Sequence, residues 1–73
     1  MVRYYFHTRE DDVLVDDKEG TMLADEQSAR REARRLIAQM ALEAVHQQLD
    51  FLAVIVRDDD GEELFSYALD YRA

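Results

Sequence analysis

The chain has 73 residues, and 9 Lys and Arg against 17 Asp and Glu give it a formal net charge of −8. It contains no cysteine, which excludes disulfide bonds and thiolate zinc sites. The negative charge disfavours nucleic acid as a partner, because phosphate binding draws on Lys and Arg side chains.

A chain of this length forms at most one domain, which we expect to span residues 1–73. Its isolated core is expected to supply only about 3–5 kcal/mol, so a partner subunit could add needed stability. The sequence has neither an N-terminal signal-peptide pattern nor an apolar run of the roughly 18 residues that a membrane span requires. We therefore expect a cytoplasmic protein with no membrane partner.

The first elements are two short strands. Residues 2–8 alternate in polarity with a period of two, which predicts a strand. Val2, Tyr4 and Phe6 lie on one face of this strand, and we expect Tyr4 and Phe6 to enter the core. A polar turn at residues 9–12 and an apolar triplet at residues 13–15 predict an antiparallel hairpin. Residues 16–20 (DDKEG) form the next turn, with Gly20 suited to a positive φ.

The clearest element is a helix predicted for residues 26–48. Asp25 is a good N-cap, because its carboxylate can accept from the free amides of the first turn. Apolar residues recur at spacings of three and four and form a core stripe. The members of the core stripe are Ala29, Ala33, Leu36, Ile37, Met40, Ala41 and Ala44. We expect this stripe to pack on a sheet.

Two strands follow the helix. Residues 51–56 (FLAVIV) are almost continuously apolar, as in a central strand that is buried on both faces. Residues 58–62 form an acidic turn, and residues 64–69 return as the last strand. The sequence therefore predicts an α+β fold in the order β-β-α-β-β, with antiparallel hairpins in a roughly four-stranded sheet and one long helix on one face.

A second apolar stripe lies nearly opposite the core stripe on a helical wheel. Its members are Ala38, Leu42, Val45 and, if the helix extends that far, Leu49. A helix on a single sheet is normally polar on this side. Scattered exposed residues, or coverage by the C-terminal residues 71–73, would account for the stripe. We favour a surface for a second copy of the chain or for another protein.

Positive charge is concentrated near the start of the predicted helix. The four residues involved are Arg30, Arg31, Arg34 and Arg35. The helix dipole disfavours cations there, so something is expected to compensate for them. A solvated face paired with nearby acidic residues is one interpretation. A docking patch for an acidic partner or RNA is the other.

The motif RYYFH, which ends at His7, and the pattern V-x-D-x-x-G-x-x-L in the C-terminal part resemble a known family. The residues that carry the second pattern are Val56, Asp58, Gly61 and Leu64. The family consists of small single-domain bacterial proteins, common in alphaproteobacteria, that are known chiefly as a domain of unknown function. The resemblance implies no activity.

Catalytic and metal-binding motifs are not recognisable in the sequence. His7 and Ser28 are better explained as structural residues, and the acidic residues 58–63 lack the ligand pattern of a calcium loop. We therefore expect no enzyme activity and no cofactor. The leading hypothesis is a non-enzymatic interaction module that forms homo-oligomers or binds a protein partner. The alternative is a nucleic-acid-associated or toxin-neutralising regulator that uses the arginine cluster.

Overall fold

Five antiparallel strands and one helix make up the fold in the computed structural model, which describes residues 1–72. In chain order the elements are β1 (Val2–Glu10), β2 (Val13–Val15), β3 (Thr21–Leu23), α1 (Glu26–Gln47), β4 (Phe51–Arg57) and β5 (Glu63–Asp70). The strand order is β2-β1-β4-β5, and β3 pairs with the other end of β1. The predicted α+β fold is confirmed, with one strand more than expected.

The first hairpin has a shorter turn than the sequence predicts. Arg9 and Glu10 belong to β1, because they pair with Leu14 and Val13. The turn itself consists of two residues, and Asp11 adopts a left-handed conformation with a φ of 52°. The polarity of Arg9 and Glu10 indicated a turn, but the ladder to β2 and β4 keeps them extended.

The additional strand, β3, continues along β1 after the loop of residues 16–20. It pairs with Val2–Tyr4 through only three residues, too few for an alternation of polarity to be recognised in the sequence. Within the loop, Gly20 has a φ of 74° as predicted. A Cβ atom at Gly20 would lie 2.8 Å from Cγ of Arg3, so the close approach of β1 also requires glycine there.

The core lies between α1 and one face of the sheet. Asp25 caps the helix as predicted, since its Oδ1 accepts from the Ser28 amide at 2.8 Å. The buried cluster comprises Tyr4, Phe6, Ala29, Ala33, Ile37, Met40, Ala44, Leu52, Val54, Val56 and Phe65. Leu36 and Ala41 are only half-buried at the borders of the core stripe. No helix within residues 1–72 combines the length and apolarity needed to cross a membrane.

Candidate interaction surface

The outer face of α1 carries exposed apolar side chains. We define the outer helix strip as Ala38, Leu42 and Val45. Leu42 is 74% exposed and Val45 is 77% exposed, and Ala38 is exposed as well. The capped helix turns its core stripe toward the sheet, so the outer helix strip necessarily points away from it. Two large apolar side chains one turn apart are thus left in water.

The fourth predicted member, Leu49, lies beyond the end of the helix and not in the outer helix strip. The helix ends at Gln47, and Gln48 adopts a left-handed conformation with a φ of 56°. The amide of Leu49 donates back to the carbonyl of Ala44 at 3.3 Å. This C-terminal turn redirects the chain, so Leu49 is half-buried against the core. Leu49 was predicted to share the outer face only if the helix extended that far, and this condition is not met.

A shallow groove extends the outer helix strip toward the end of β5. It has a volume of about 170 Å³ and is lined by Ala44, Val45, Gln48, Leu49 and Tyr71. Tyr71 is held in place by its amide, which donates to the Asp50 carbonyl at 2.7 Å. Tyr71 nevertheless remains 51% exposed. Residues up to 72 therefore border the strip without covering it, and Ala73 lies outside the described residues.

Next to this groove, β5 forms one border of the sheet. It occupies the end of the strand order, and within residues 1–72 it pairs only with β4. Leu69, near its C-terminal end, is 37% exposed. Sequence reasoning could not assign this border, because local polarity patterns do not contain the strand order. The apolar run at residues 64–69 predicted that a strand exists but not its place in the strand order.

Arg30 is held between the helix and β5. Its Nη2 donates to Oε2 of Glu26 at 3.1 Å, and its guanidinium carbon lies 4.3 Å from the centre of the Phe65 ring. The proximity of Tyr67 and then of Glu26 raises the pKa of Arg30. This arginine therefore contributes to packing as well as to surface charge.

Of the remaining arginines, Arg35 is paired from within the helix. Arg35 forms two bonds to the Glu32 carboxylate, from Nε at 3.0 Å and from Nη2 at 2.6 Å, and they lower the pKa of Glu32. Arg31 donates to the Ser28 hydroxyl at 3.3 Å, while Arg34 is exposed. Glu26 and Glu32 thus supply the carboxylates that pair with this cluster.

His7 has a structural position in the loop of residues 16–20. Its Nδ1 accepts from the Asp17 amide at 3.1 Å. The carboxylate of Asp17 in turn accepts from the amides of Phe6 at 3.1 Å, Glu19 at 3.2 Å and Gly20 at 3.0 Å. Desolvation raises the pKa of Asp17, but these three donors outweigh it and the pKa lies below its ordinary value.

The acidic turn between β4 and β5 is organised by its own carboxylate. Asp58 Oδ1 accepts from the amides of Asp60 and Glu62, both at 2.9 Å, and Gly61 has a φ of 81°. The Tyr5 hydroxyl donates to Asp59 at 3.1 Å. Within residues 1–72, no group of three or more His, Asp or Glu side chains is arranged to hold a metal ion.

The fold and this surface define a small acidic α+β protein with an exposed apolar helix face. A family model, described as a domain of unknown function (DUF6894), matches residues 3–70. The chain belongs to this family. Comparison with curated proteins and with solved structures gave no significant match.

Proposed function

We propose that this protein is a non-enzymatic protein-binding module. The contact surface is the outer helix strip together with the groove beside Tyr71. The observation that carries the proposal is the exposure of Leu42 and Val45, at 74% and 77%. Full burial of each such side chain against a partner is worth roughly 1.5–3 kcal/mol, and exposed apolar patches commonly mark interaction sites.

The positions of the reactive side chains support a binding role rather than catalysis. His7 uses Nδ1 as an acceptor for a backbone amide, which ties it to the loop. Ser28 lies in the first turn of α1, where its amide binds the capping Asp25. We further propose that the protein acts in the bacterial cytoplasm, as the sequence predicts.

The alternative of a nucleic-acid-associated or toxin-neutralising regulator receives less support from the contacts. Two of the four arginines in the cluster already form ion pairs within the helix. Arg30 pairs with Glu26 at 3.1 Å, and Arg35 pairs with Glu32 at 2.6 Å. The net charge of −8 would also oppose the approach of phosphates. The alternative stays a prediction, and affinity for RNA that falls with salt would support it.

The proposal is tested by quantitative co-purification from the cells that make this protein. The bait is compared with Leu42→Glu, which adds a charge to the outer helix strip, and with Gln39→Glu, which adds the same charge to an exposed site outside it. We expect Leu42→Glu to lose a bound protein, which can be the untagged chain itself, at least tenfold, and Gln39→Glu to retain it. The same set of proteins on all three baits would contradict the proposal.

A further inference from the structure

We infer that the partner is a second copy of this chain, which pairs with β5 edge to edge and antiparallel across a two-fold axis. The two sheets then become one continuous sheet, and the two outer helix strips approach each other on the same side of it. This inference rests on the proposed function, because it names the partner of the same surface.

Within residues 1–72, the outer backbone edge of β5 has no strand partner. The Tyr71 amide donates to the Asp50 carbonyl, and the ladder continues from this pair with Phe51 opposite Asp70. Backbone groups alternate along a strand, so those of Ser66, Ala68 and Asp70 point away from β4. β5 contains neither Pro nor Lys, the residues that commonly protect an edge from pairing.

The distribution of charge along β5 also favours this pairing. The chain has a net charge of −8, which opposes self-association. Much of the acidic charge, however, lies in three segments outside β5, at residues 11–12, 16–19 and 58–62. In β5 only the two terminal residues are charged, and each has an arginine within 4.0 Å. The middle of this edge can therefore meet its own copy without opposing charges.

The position of the outer helix strip relative to β5 is compatible with this pairing as well. Arg30 reaches Phe65 near the start of β5, and Val45 shares a groove with Tyr71 just beyond its end. These two helix residues lie about 60° apart on a helical wheel, so the same side of α1 flanks β5 along its length. A two-fold axis through the β5 edge, perpendicular to the sheet, turns these sides toward each other.

Parity restricts the register. For both helices to lie on one face of the joined sheet, a β5 residue must pair with its own copy at the axis. A bulge at Leu64 limits regular pairing to the residues after it. We place Tyr67 at the axis, so that residues 65–69 pair regularly and Phe65 faces Leu69 of the second copy. With Ser66 at the axis, regular pairing would shrink to residues 65–67.

Sedimentation velocity on Ala68→Pro and on the matched control Ala68→Thr tests the inference. Proline removes the outward amide of residue 68, whereas threonine keeps it and favours a strand. We expect a dimer for the wild type and for Ala68→Thr at tens of micromolar. We expect Ala68→Pro to raise the dimer dissociation constant roughly tenfold or more, because two symmetric hydrogen bonds are lost.

A dimer that tolerates Ala68→Pro but is dissociated by Leu42→Glu would overturn the edge pairing and leave the proposed function intact. A monomeric wild type would also overturn it, while co-purification of a different protein that Leu42→Glu abolishes would still support the proposed function. If no partner is found either, both fail.

Cross-linking keeps the inference testable should Ala68→Pro fail to fold. The chain has no cysteine, so Tyr67→Cys introduces a single thiol. At the two-fold axis its Cβ atoms would lie about 4.5–5.5 Å apart, close to disulfide geometry. Air oxidation should convert Tyr67→Cys to a disulfide-linked dimer at least tenfold faster than Ser66→Cys. Equal rates would overturn the pairing.

Discussion

At the scale of single residues, one carboxylate organises the loop that separates β2 from β3. Asp17 accepts from three backbone amides, and its own amide donates to His7. The sequence marked residues 16–20 as a turn and marked Gly20 as its left-handed residue. It could not show which of several neighbouring acids would be the acceptor, because that choice depends on the approach of β1.

We predict that Asp17→Asn lowers the free energy of unfolding by about 1–3 kcal/mol at pH 7, because acceptor capacity and charge are lost. The pKa of Asp17 is lowered in the folded state. Its stabilisation is therefore present above the unfolded pKa of about 3.9 and is lost as the pH falls through the lower folded pKa.

Urea titrations at pH 5.5 and pH 2.5 measure this effect as the difference between wild type and Asp17→Asn. The difference should shrink at pH 2.5. A difference that is the same at both pH values would contradict the electrostatic part of the account.

At the scale of elements, the sequence predicted what local patterns contain. The core stripe gave the helix to within a residue of its end, and the apolar run after it gave the central strand. The sequence did not predict β3, nor that the helix ends before Leu49, and both omissions have physical reasons. A three-residue strand has too little periodicity to be recognised, and a left-handed Gln48 without a glycine signal ends the helix before Leu49.

We predict that Ile37→Ala costs about 2–5 kcal/mol of stability, because it leaves a cavity between α1 and the sheet. Ile37 is only 8% exposed and belongs to the core cluster. Gln39→Ala, on the exposed side of the same helix, should change stability by less than about 0.5 kcal/mol. Thermal denaturation followed by circular dichroism compares them, and equal melting temperatures for the two variants would show that the helix face is misassigned.

At the scale of the whole molecule, the candidate surface depends on features that no single element shows. Leu42 and Val45 were predicted from the helical wheel alone. The groove beside Tyr71 and the free edge of β5 emerge only when the sheet order places β5 at its border, beside the same side of α1.

We predict that salt strengthens self-association. Two copies bring a combined charge of 2 × (−8) = −16 together. Raising sodium chloride from 0.1 to 1 M shortens the Debye length from about 10 Å to about 3 Å and screens this repulsion. The dimer dissociation constant from sedimentation equilibrium should therefore fall several-fold. A rise with salt would indicate instead that ion pairs across the interface dominate.

The central claim, that β5 pairs with a second copy, is tested most directly by amide hydrogen exchange measured by NMR at about 20 µM and about 1 mM protein. The amides of Tyr67 and Leu69 point toward β4 and should be protected at both concentrations. Those of Ser66 and Ala68 point outward, and we predict that they are already protected at about 20 µM. Their protection should rise several-fold at about 1 mM, because the remaining monomer fraction falls with concentration. Rapid exchange of Ser66 and Ala68 at both concentrations would contradict the claim.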